Sequence, residues 1–305
     1  THKKSTAKGV SGMIRCEQLK KKFRRRTVLS NISFQIDEPK IIALIGRNGT
    51  GKSTLLRLIA GHLKPTAGKV EVLGHKPFNH LQVAANTIFI EEHLTFPSPF
   101  TLADILKQGA TFYPNWQQDL AEKLLAYANI PLQSYHEQLS TGQRATFNLV
   151  YGLATRCAIT LLDEPMNGMD EAIRADFYRA ILKEYIAYPR LIIISSHYLS
   201  EMEHLIEDIL CIHKGVIELH ASLDEVQAFA VKLRGDKAQI APFIERAEVL
   251  YERDEAPFYE VVVPAANVDI EALQTNGVFV LNVSASEVCK YITSEAKGGI
   301  DHVFK

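Results

Sequence analysis

The sequence has no long hydrophobic run, few cysteines and no excess of charge of either sign. No stretch of about 18 consecutive apolar residues occurs, so no segment is predicted to cross a bilayer as a helix. The four cysteines, Cys16, Cys157, Cys211 and Cys289, are far apart and lack metal-site spacing, so we expect reduced, buried thiols. Lys and Arg number 34 against 35 Asp and Glu, a formal net charge of −1 that gives no general attraction to nucleic acid.

The N-terminal stretch is the least structured part of the sequence by composition. Residues 1–12 are polar and lack the apolar core of a signal peptide, so we expect a tag or a disordered leader, with Met13 as a native start. A basic run at residues 20–26 is the one departure from balanced charge. It is interpreted as a solvated strand and turn, because charged side chains usually stay in water.

Short apolar runs alternate with helical patterns along most of the chain. The apolar runs suit strands buried on both faces of a parallel sheet, and they occupy residues 41–45, 158–162 and 191–194. Apolar residues at helical spacing predict helices over residues 52–63, 101–130 (as two helices) and 140–155. The pattern therefore predicts an α/β fold with a parallel-sheet core and a helical insertion at about residues 97–155.

The end of the chain has a different pattern. Strands are predicted over residues 231–234, 258–263 and 278–283, followed by a helix over 286–295. We therefore divide the chain into a larger domain, residues 13–225, and a small C-terminal α+β domain, residues 226–305. No motif in the small domain indicates chemistry.

A glycine-rich loop follows the first buried strand and opens a helix. The phosphate-loop pattern G-x-x-x-x-G-K-[ST] is matched by the run Gly46-Arg47-Asn48-Gly49-Thr50-Gly51-Lys52-Ser53-Thr54. Glycines let backbone N–H groups converge on an anion, and the helix N-terminus adds its dipole. Lys52 would bind the β- and γ-phosphates of a nucleotide, and the Ser53 hydroxyl would bind Mg²⁺. A glycine-rich turn with a surface lysine is the alternative, which the flanking strand and helix disfavour.

Two acids stand at the end of the second apolar run. Asp163 is placed to hold Mg²⁺, directly or through water, and Glu164 beside it could polarise an attacking water as a general base. An acidic exit from a strand is the alternative. The presence of the phosphate loop earlier in the chain favours the catalytic interpretation.

A further motif, Leu139-Ser140-Thr141-Gly142-Gln143, opens a helix before the acidic strand. With the loop and the acids in this order, the chain resembles the nucleotide-binding subunit of an ATP-binding cassette (ABC) transporter over about residues 13–225. The motif is similar to the family signature L-S-G-G-Q, with Thr141 replacing the first glycine. The resemblance implies that Ser140, Gly142 and Gln143 act in trans, on the ATP held by a second subunit.

The resemblance also assigns roles to three single residues. Asp170 belongs to a run similar to the family's D-loop, and His197 follows the third apolar run as the family's switch histidine does. Phe23 matches the aromatic residue that stacks on adenine. A structural histidine and a core aromatic are the alternatives for His197 and Phe23.

One position departs from the family. The loop before the helical insertion usually carries a Gln that coordinates Mg²⁺, and here the matching stretch contains Glu91 and Glu92. Glu91 aligns best and Glu92 remains open. A carboxylate can ligate Mg²⁺, but it cannot donate a hydrogen bond to water unless it is protonated.

The resemblance implies an ATP hydrolase that uses ATP and Mg²⁺ and powers a separate integral membrane permease. Single-cassette chains with a short C-terminal α+β piece are similar to ABC-2 exporters, and residues 112–125 look like those of Gram-positive peptide or drug exporters. The expected partners are that permease and a second cassette, identical or different, and not nucleic acid. The expected location is cytoplasmic, on the inner face of the membrane. A soluble ABC ATPase without transport function and a regulatory cassette with weak activity are the alternatives.

Overall fold

The structure, a computed structural model, describes residues 12–197, 199–255 and 258–293. The predicted leader, apart from Gly12, and the predicted helical residues beyond 293 lie outside the described residues. In chain order, the strands are β1 (Ile14–Phe23), β2 (Arg26–Ile36), β3 (Ile41–Ile45), β4 (Ala67–Val72), β5 (Thr87–Ile90), β6 (Ile159–Asp163), β7 (Leu191–Ser195), β8 (Asp208–His213), β9 (Val216–Ser222), β10 (Ala230–Gly235), β11 (Tyr251–Glu255), β12 (Phe258–Pro264) and β13 (Phe279–Asn282).

Helices connect most of these strands. In chain order they are α1 (Lys52–Ile59), α2 (Leu81–Asn86), α3 (Leu102–Phe112), α4 (Gln118–Tyr127), α5 (Thr141–Ala154), α6 (Glu171–Ala187), α7 (Leu199–Met202), α8 (Leu223–Ala228), α9 (Lys237–Ile244), α10 (Ile270–Thr275) and α11 (Ala285–Ile292). Single 3₁₀ turns occupy His136–Gln138 and Ala265–Asn267. In the described part of the chain, no helix combines the length and the apolar character needed to cross a bilayer.

A six-stranded sheet forms the centre of the molecule, with the order β5-β6-β7-β3-β8-β9. Its first five strands pair in parallel, and β9 is antiparallel to β8. The three apolar runs predicted as buried strands are β3, β6 and β7, and β3 and β7 lie in the middle of the sheet. The predicted α/β fold with a parallel core is confirmed.

The sheet is buried on both faces because alternate residues of its strands enter different clusters. On one face, Ile41, Ile192 and Leu162 pack with residues of α5 and α6. On the other face, Ile42 and Ile193 pack with α1 and with the inner side of β1, β2 and β4. Burial on both faces explains why these strands have continuous apolar sequences.

A smaller antiparallel sheet, β2-β1-β4, covers the second face. The basic run lies at the hairpin between β1 and β2, where Phe23 pairs with Arg26 across a turn made by Arg24 and Arg25. These side chains are exposed. The basic run thus forms a strand end and a turn with exposed side chains, as the sequence predicts.

The helical insertion consists of α3, α4 and α5. Thr101 begins α3 and Ser140 begins α5, each with a capping box in which side chain and backbone exchange hydrogen bonds. The two helices expected between residues 101 and 130 are present. The predicted helix from residue 52 ends at Ile59, four residues early, because Gly61 adopts φ 78° in the turn that follows.

The C-terminal part has the chain order β10-α9-β11-β12-α10-β13 and the sheet order β11-β12-β10-β13, with antiparallel neighbours. This is the split β-α-β arrangement of ferredoxin-like domains. One sheet face has its own apolar core, which includes Leu233 and Val261. The other face contributes Val262 to the core of the larger domain. The predicted boundary at residue 225 falls inside α8. The division into two domains stays a prediction.

All four cysteines are buried and free, as the sequence predicts.

Candidate functional site

The carboxyl ends of β3, β6 and β7 meet at one edge of the central sheet. Leu44 pairs with Ser195, and Ser195 pairs with Asp163, so the residues that follow each strand emerge side by side. The end of β5 joins this edge because Ile90 pairs with Leu162. In open parallel sheets, ligands bind at this edge.

The loop between β3 and α1 has the backbone of an anion site. Gly49 and Gly51 have φ values of 80° and 113°, in the left-handed region that favours glycine. Gly51 is the N-cap of α1, whose first N–H groups have no partners within the helix and whose dipole attracts anions. This geometry suits the phosphates of a nucleotide.

Lys52 is the first residue of α1, and its side chain is only 6% exposed. Its Nζ donates a hydrogen bond to the Gly46 carbonyl at 2.7 Å and lies 3.5 Å from Glu164 Oε1. The ammonium is therefore held inside the loop, where its charge would meet bound phosphates.

Ser195 fixes both acids at the end of β6. Its Oγ donates to Asp163 Oδ1 at 2.6 Å and accepts the Glu164 N–H at 3.0 Å. Glu164 has φ 49°, which is uncommon for a residue other than glycine and is often found at functional positions. This backbone turns the Glu164 side chain towards the phosphate loop.

Glu164 links Lys52 to His197. Its Oε2 lies 2.9 Å from His197 Nδ1, while its buried Oε1 has no hydrogen-bond partner in the described structure and faces Lys52. A carboxylate can take a proton from water, and an imidazole at this distance can orient it. The geometry suits a general base with an adjacent positioning group.

A cavity of about 430 Å³ lies over the phosphate loop. The residues predicted from sequence that line it are Asn48, Gly49, Gly51, Lys52, Ser53, Thr54, Glu164 and His197. The structure thus brings together the predicted loop residues and both predicted catalytic residues. Asp163 does not line the cavity; it is 7% exposed at the end of β6, next to Glu164.

Glu92, and not Glu91, lines this cavity. Glu91 forms an ion pair with Arg57 of α1 at 2.5 Å and lines a neighbouring cavity of about 200 Å³. The choice of Glu91 as a metal ligand stays a prediction: its carboxylate faces Arg57, while the next residue along the loop lines the phosphate cavity. Glu92 is the candidate that lines the cavity.

Ser140, Gly142, Gln143 and Asp170 line neither cavity, whereas Thr141 of the same motif lines the smaller one. Ser140 caps α5 by accepting the Gln143 N–H at 3.3 Å, while Gln143 Oε1 accepts the Ser140 N–H at 3.1 Å. Asp170 caps α6 by accepting the Ile173 N–H at 3.0 Å. Gly142 packs against the carbonyl of Gly168, which joins the start of α5 to the loop before α6.

Phe23 also lies outside the residues that line the cavity. Its ring is 43% exposed at the end of β1, and Lys21 Nζ lies 4.8 Å from the ring centroid. The alternative of a core aromatic is excluded by this exposure. Its role towards adenine stays a prediction.

Sequence reasoning missed four residues that line the cavity, Arg26, Val28, Arg47 and Asn167. Arg47 belongs to the phosphate loop, and Asn167 begins the run that is similar to the D-loop. The sequence therefore offered a signal for these two residues. Arg26 and Val28 reach the cavity only because the hairpin of the small sheet folds back over the loop. No local pattern indicates that contact.

The residues at this edge fit Mg²⁺ bound mainly through a nucleotide. Among the described residues, no group of three or more His, Cys, Asp or Glu side chains could hold a metal. Mg²⁺ typically keeps water ligands and takes one or two carboxylates with substrate phosphates. Ser53, Asp163 and Glu92 offer such a partial set.

The fold and this edge define a phosphate-loop nucleotide-binding protein. The family model described as ABC transporter matches residues 29–167, which include the loop, the signature and both acids. Lantibiotic transport ATP-binding protein SrtF of Streptococcus pyogenes is 30% identical over 214 residues, covering 70% of this chain and 92% of SrtF. The chain therefore belongs to the family of ATP-binding subunits of ABC transporters.

Other comparisons agree with this assignment. ABC transporter ATP-binding protein YtrB of Bacillus subtilis (strain 168) is 29% identical over 267 residues, covering 84% of this chain and 88% of YtrB. Sulfate/thiosulfate import ATP-binding protein CysA of Pseudomonas syringae pv. tomato is 30% identical over 222 residues, covering 70% of this chain and 68% of CysA. The relatives thus include a protein named for import.

A solved ATP-binding subunit of an ABC transporter has the same fold. Its TM-score is 0.63 at 22% identity, and the match covers 70% of this chain and 92% of that one. The predicted ABC ATPase fold is confirmed. The chain is accordingly an ABC-type ATPase that binds and hydrolyses ATP.

Proposed function

We propose that this chain is the motor of a transporter, working as a pair of cassettes that drives a separate integral membrane permease with Mg²⁺-ATP. One observation carries the proposal: Ser140, Gly142 and Asp170 do not line the chain's own phosphate cavity. In the expected pair, identical or mixed, the signature of one chain closes over the nucleotide of the other. The pair would sit at the cytoplasmic face of the membrane, against the permease.

The residues of the cavity suit each step of that cycle. Phosphates would replace the Gly46 carbonyl as the partner of Lys52, in the dipole field of α1. Glu164 would accept a proton from the attacking water, and His197 would hold the carboxylate through Oε2. Bound Mg²⁺ would neutralise phosphate charge, held by Ser53, Asp163 and Glu92. Hydrolysis and release of phosphate would then reopen the pair, because only the closed state gains from the γ-phosphate.

We further propose export of a peptide, drug or similar solute. The name of SrtF refers to lantibiotic transport, and its match covers nearly all of that protein. CysA, named for import, matches a smaller share of its own length. YtrB matches beyond the cassette into the C-terminal part of this chain.

Purification from native membranes in mild detergent tests the transport role. The expected result is that one polytopic membrane protein co-purifies in fixed stoichiometry with the wild-type chain. Co-purification with ribosomes or chromosomal DNA instead, with no membrane protein bound, would contradict the proposal. Transport of candidate solutes by vesicles that contain the pair would then decide between export and import.

A further inference from the structure

Arg26 reaches the phosphate loop from a different part of the fold. It is the first residue of β2, in the small antiparallel sheet, and its side chain lines the cavity above the loop. Its guanidinium lies 4.0 Å from the place that a Cβ on Gly49 would occupy. The loop and the hairpin therefore form opposite walls of one pocket.

The hairpin geometry fixes which basic side chain faces the pocket. Phe23 and Arg26 are directly opposite each other, so their side chains lie on the same face of the sheet. Arg24 and Arg25 form the turn between them, and Arg24 has φ 50°. Neither Arg24 nor Arg25 lines the cavity. Of the three adjacent arginines, only Arg26 therefore faces the phosphate loop.

The charge of Arg26 has no acidic partner within the described residues. Some other arginines of this chain are paired, for example Arg57 with Glu91 and Arg156 with Glu184. A guanidinium is a planar set of donors that binds phosphate oxygens in a bidentate way. An unpaired guanidinium on the wall of a phosphate cavity is suited to an anionic ligand.

We propose that Arg26 binds the polyphosphate chain of the nucleotide, opposite the phosphate loop. This inference rests on nucleotide binding in the same cavity and adds to it a cation from outside the loop. Lys52 would hold the phosphates from within the loop, and Arg26 would hold them from the hairpin. The same hairpin would bring Phe23 beside the bound nucleotide.

Replacing Arg26 with Gln, with Arg25→Gln as the matched control, tests this assignment. Both variants lose one positive charge from the same hairpin, but only Arg26 lines the cavity. Calorimetric titration at physiological salt would compare MgATP, MgADP and adenosine. We expect R26Q to weaken MgATP and MgADP binding by about tenfold, the effect of losing one charged hydrogen bond, and to leave adenosine binding unchanged. R25Q should change all three by less than about twofold, because the salt screens its charge.

Two results would overturn the assignment. If R25Q and R26Q lost equal affinity for MgATP, the effect would come from the overall charge of the hairpin and not from a contact of Arg26. If R26Q lost as much affinity for adenosine as for MgATP, Arg26 would contact the base or the ribose. Arg26→Lys should recover part of the phosphate affinity, which separates loss of charge from misfolding of the hairpin. Failure of the wild-type chain to bind MgATP would contradict the nucleotide site itself, so the two failures are distinguishable.

Discussion

Lys52 is the residue on which we expect nucleotide binding to depend most. Its ammonium lies inside the loop against the Gly46 carbonyl, and no other lysine lines the cavity among the described residues. We expect Lys52→Ala to weaken ATP binding by about a hundredfold or more, because a cation aimed at phosphates in a partly dry site is lost. Titration with ATP measures this, with Lys69→Ala on the exposed surface as the control. Near wild-type affinity of Lys52→Ala would remove Lys52 from the site.

Glu92 and Glu91 are adjacent acids with different surroundings, which makes them a matched pair. Glu92 lines the phosphate cavity, so without Mg²⁺ its charge should repel ATP, and with Mg²⁺ it can act as a ligand. We expect Glu92→Gln to bind metal-free ATP severalfold more tightly and to depend less on Mg²⁺. Glu91→Gln should leave both properties unchanged, because Glu91 faces Arg57.

Titrations with ATP in EDTA and in excess Mg²⁺ would measure both variants. A changed Mg²⁺ dependence in Glu91→Gln and an unchanged one in Glu92→Gln would favour the choice made from the sequence. Both side chains line the smaller cavity, and of the two only Glu92 also lines the phosphate cavity. Sequence spacing at the end of β5 does not reveal which of them turns inward.

At the scale of elements, the start of α5 depends on a close contact. A Cβ on Gly142 would lie 2.5 Å from the Gly168 carbonyl, which belongs to the loop before α6. We expect Gly142→Ala to destabilise the fold by about 1–3 kcal/mol, because the backbone must move to admit the methyl group. The variant should also lose ATP-dependent pairing if the signature acts on a second chain.

Chemical denaturation and sizing with MgATP would measure these two effects. Gly235→Ala is a suitable control, since the nearest atom to its Cβ would be 3.7 Å away and its φ is not in the left-handed region. Equal stability of the Gly142 variant and the wild-type chain would contradict the packing described for α5.

Elements with strong local signals were predicted correctly, and elements formed by distant pairing were not. The strands β3, β6 and β7 were recognised because burial on both faces requires continuous apolar residues. The helix α5 was predicted from apolar residues at helical spacing, and the structure adds that Ser140 and Gln143 cap its start. The antiparallel sheet β2-β1-β4 was not predicted as a unit. Its strands come from separate segments of the chain, and their apolar and polar residues do not alternate regularly.

The same limit applies to the site. Residues within motifs, such as Lys52 and Glu164, could be assigned because the loop and the acid pair each carry their own chemistry in sequence. Arg26 could not, because its position over Gly49 depends on how one sheet folds across another. The ferredoxin-like order of the C-terminal strands was also hidden, since strand order is a property of pairing and not of any single strand.

At the scale of the whole molecule, the residues proposed to act on one nucleotide do not share a cavity within one chain. The phosphate loop, Glu164 and His197 share a cavity, whereas Ser140 and Asp170 stand outside it. A second chain would complete each site. The central claim is therefore that ATP joins two chains and that hydrolysis through Glu164 separates them.

Glu164→Gln tests that claim most directly, because it keeps the shape of the side chain and removes its basicity. Sizing by light scattering would compare the variant and the wild-type chain in MgATP, in MgADP and without nucleotide. The account predicts that the variant binds ATP, hydrolyses it very slowly and doubles its mass only in MgATP. A variant that stays monomeric in MgATP and keeps full turnover would contradict both the role of Glu164 and the paired mechanism.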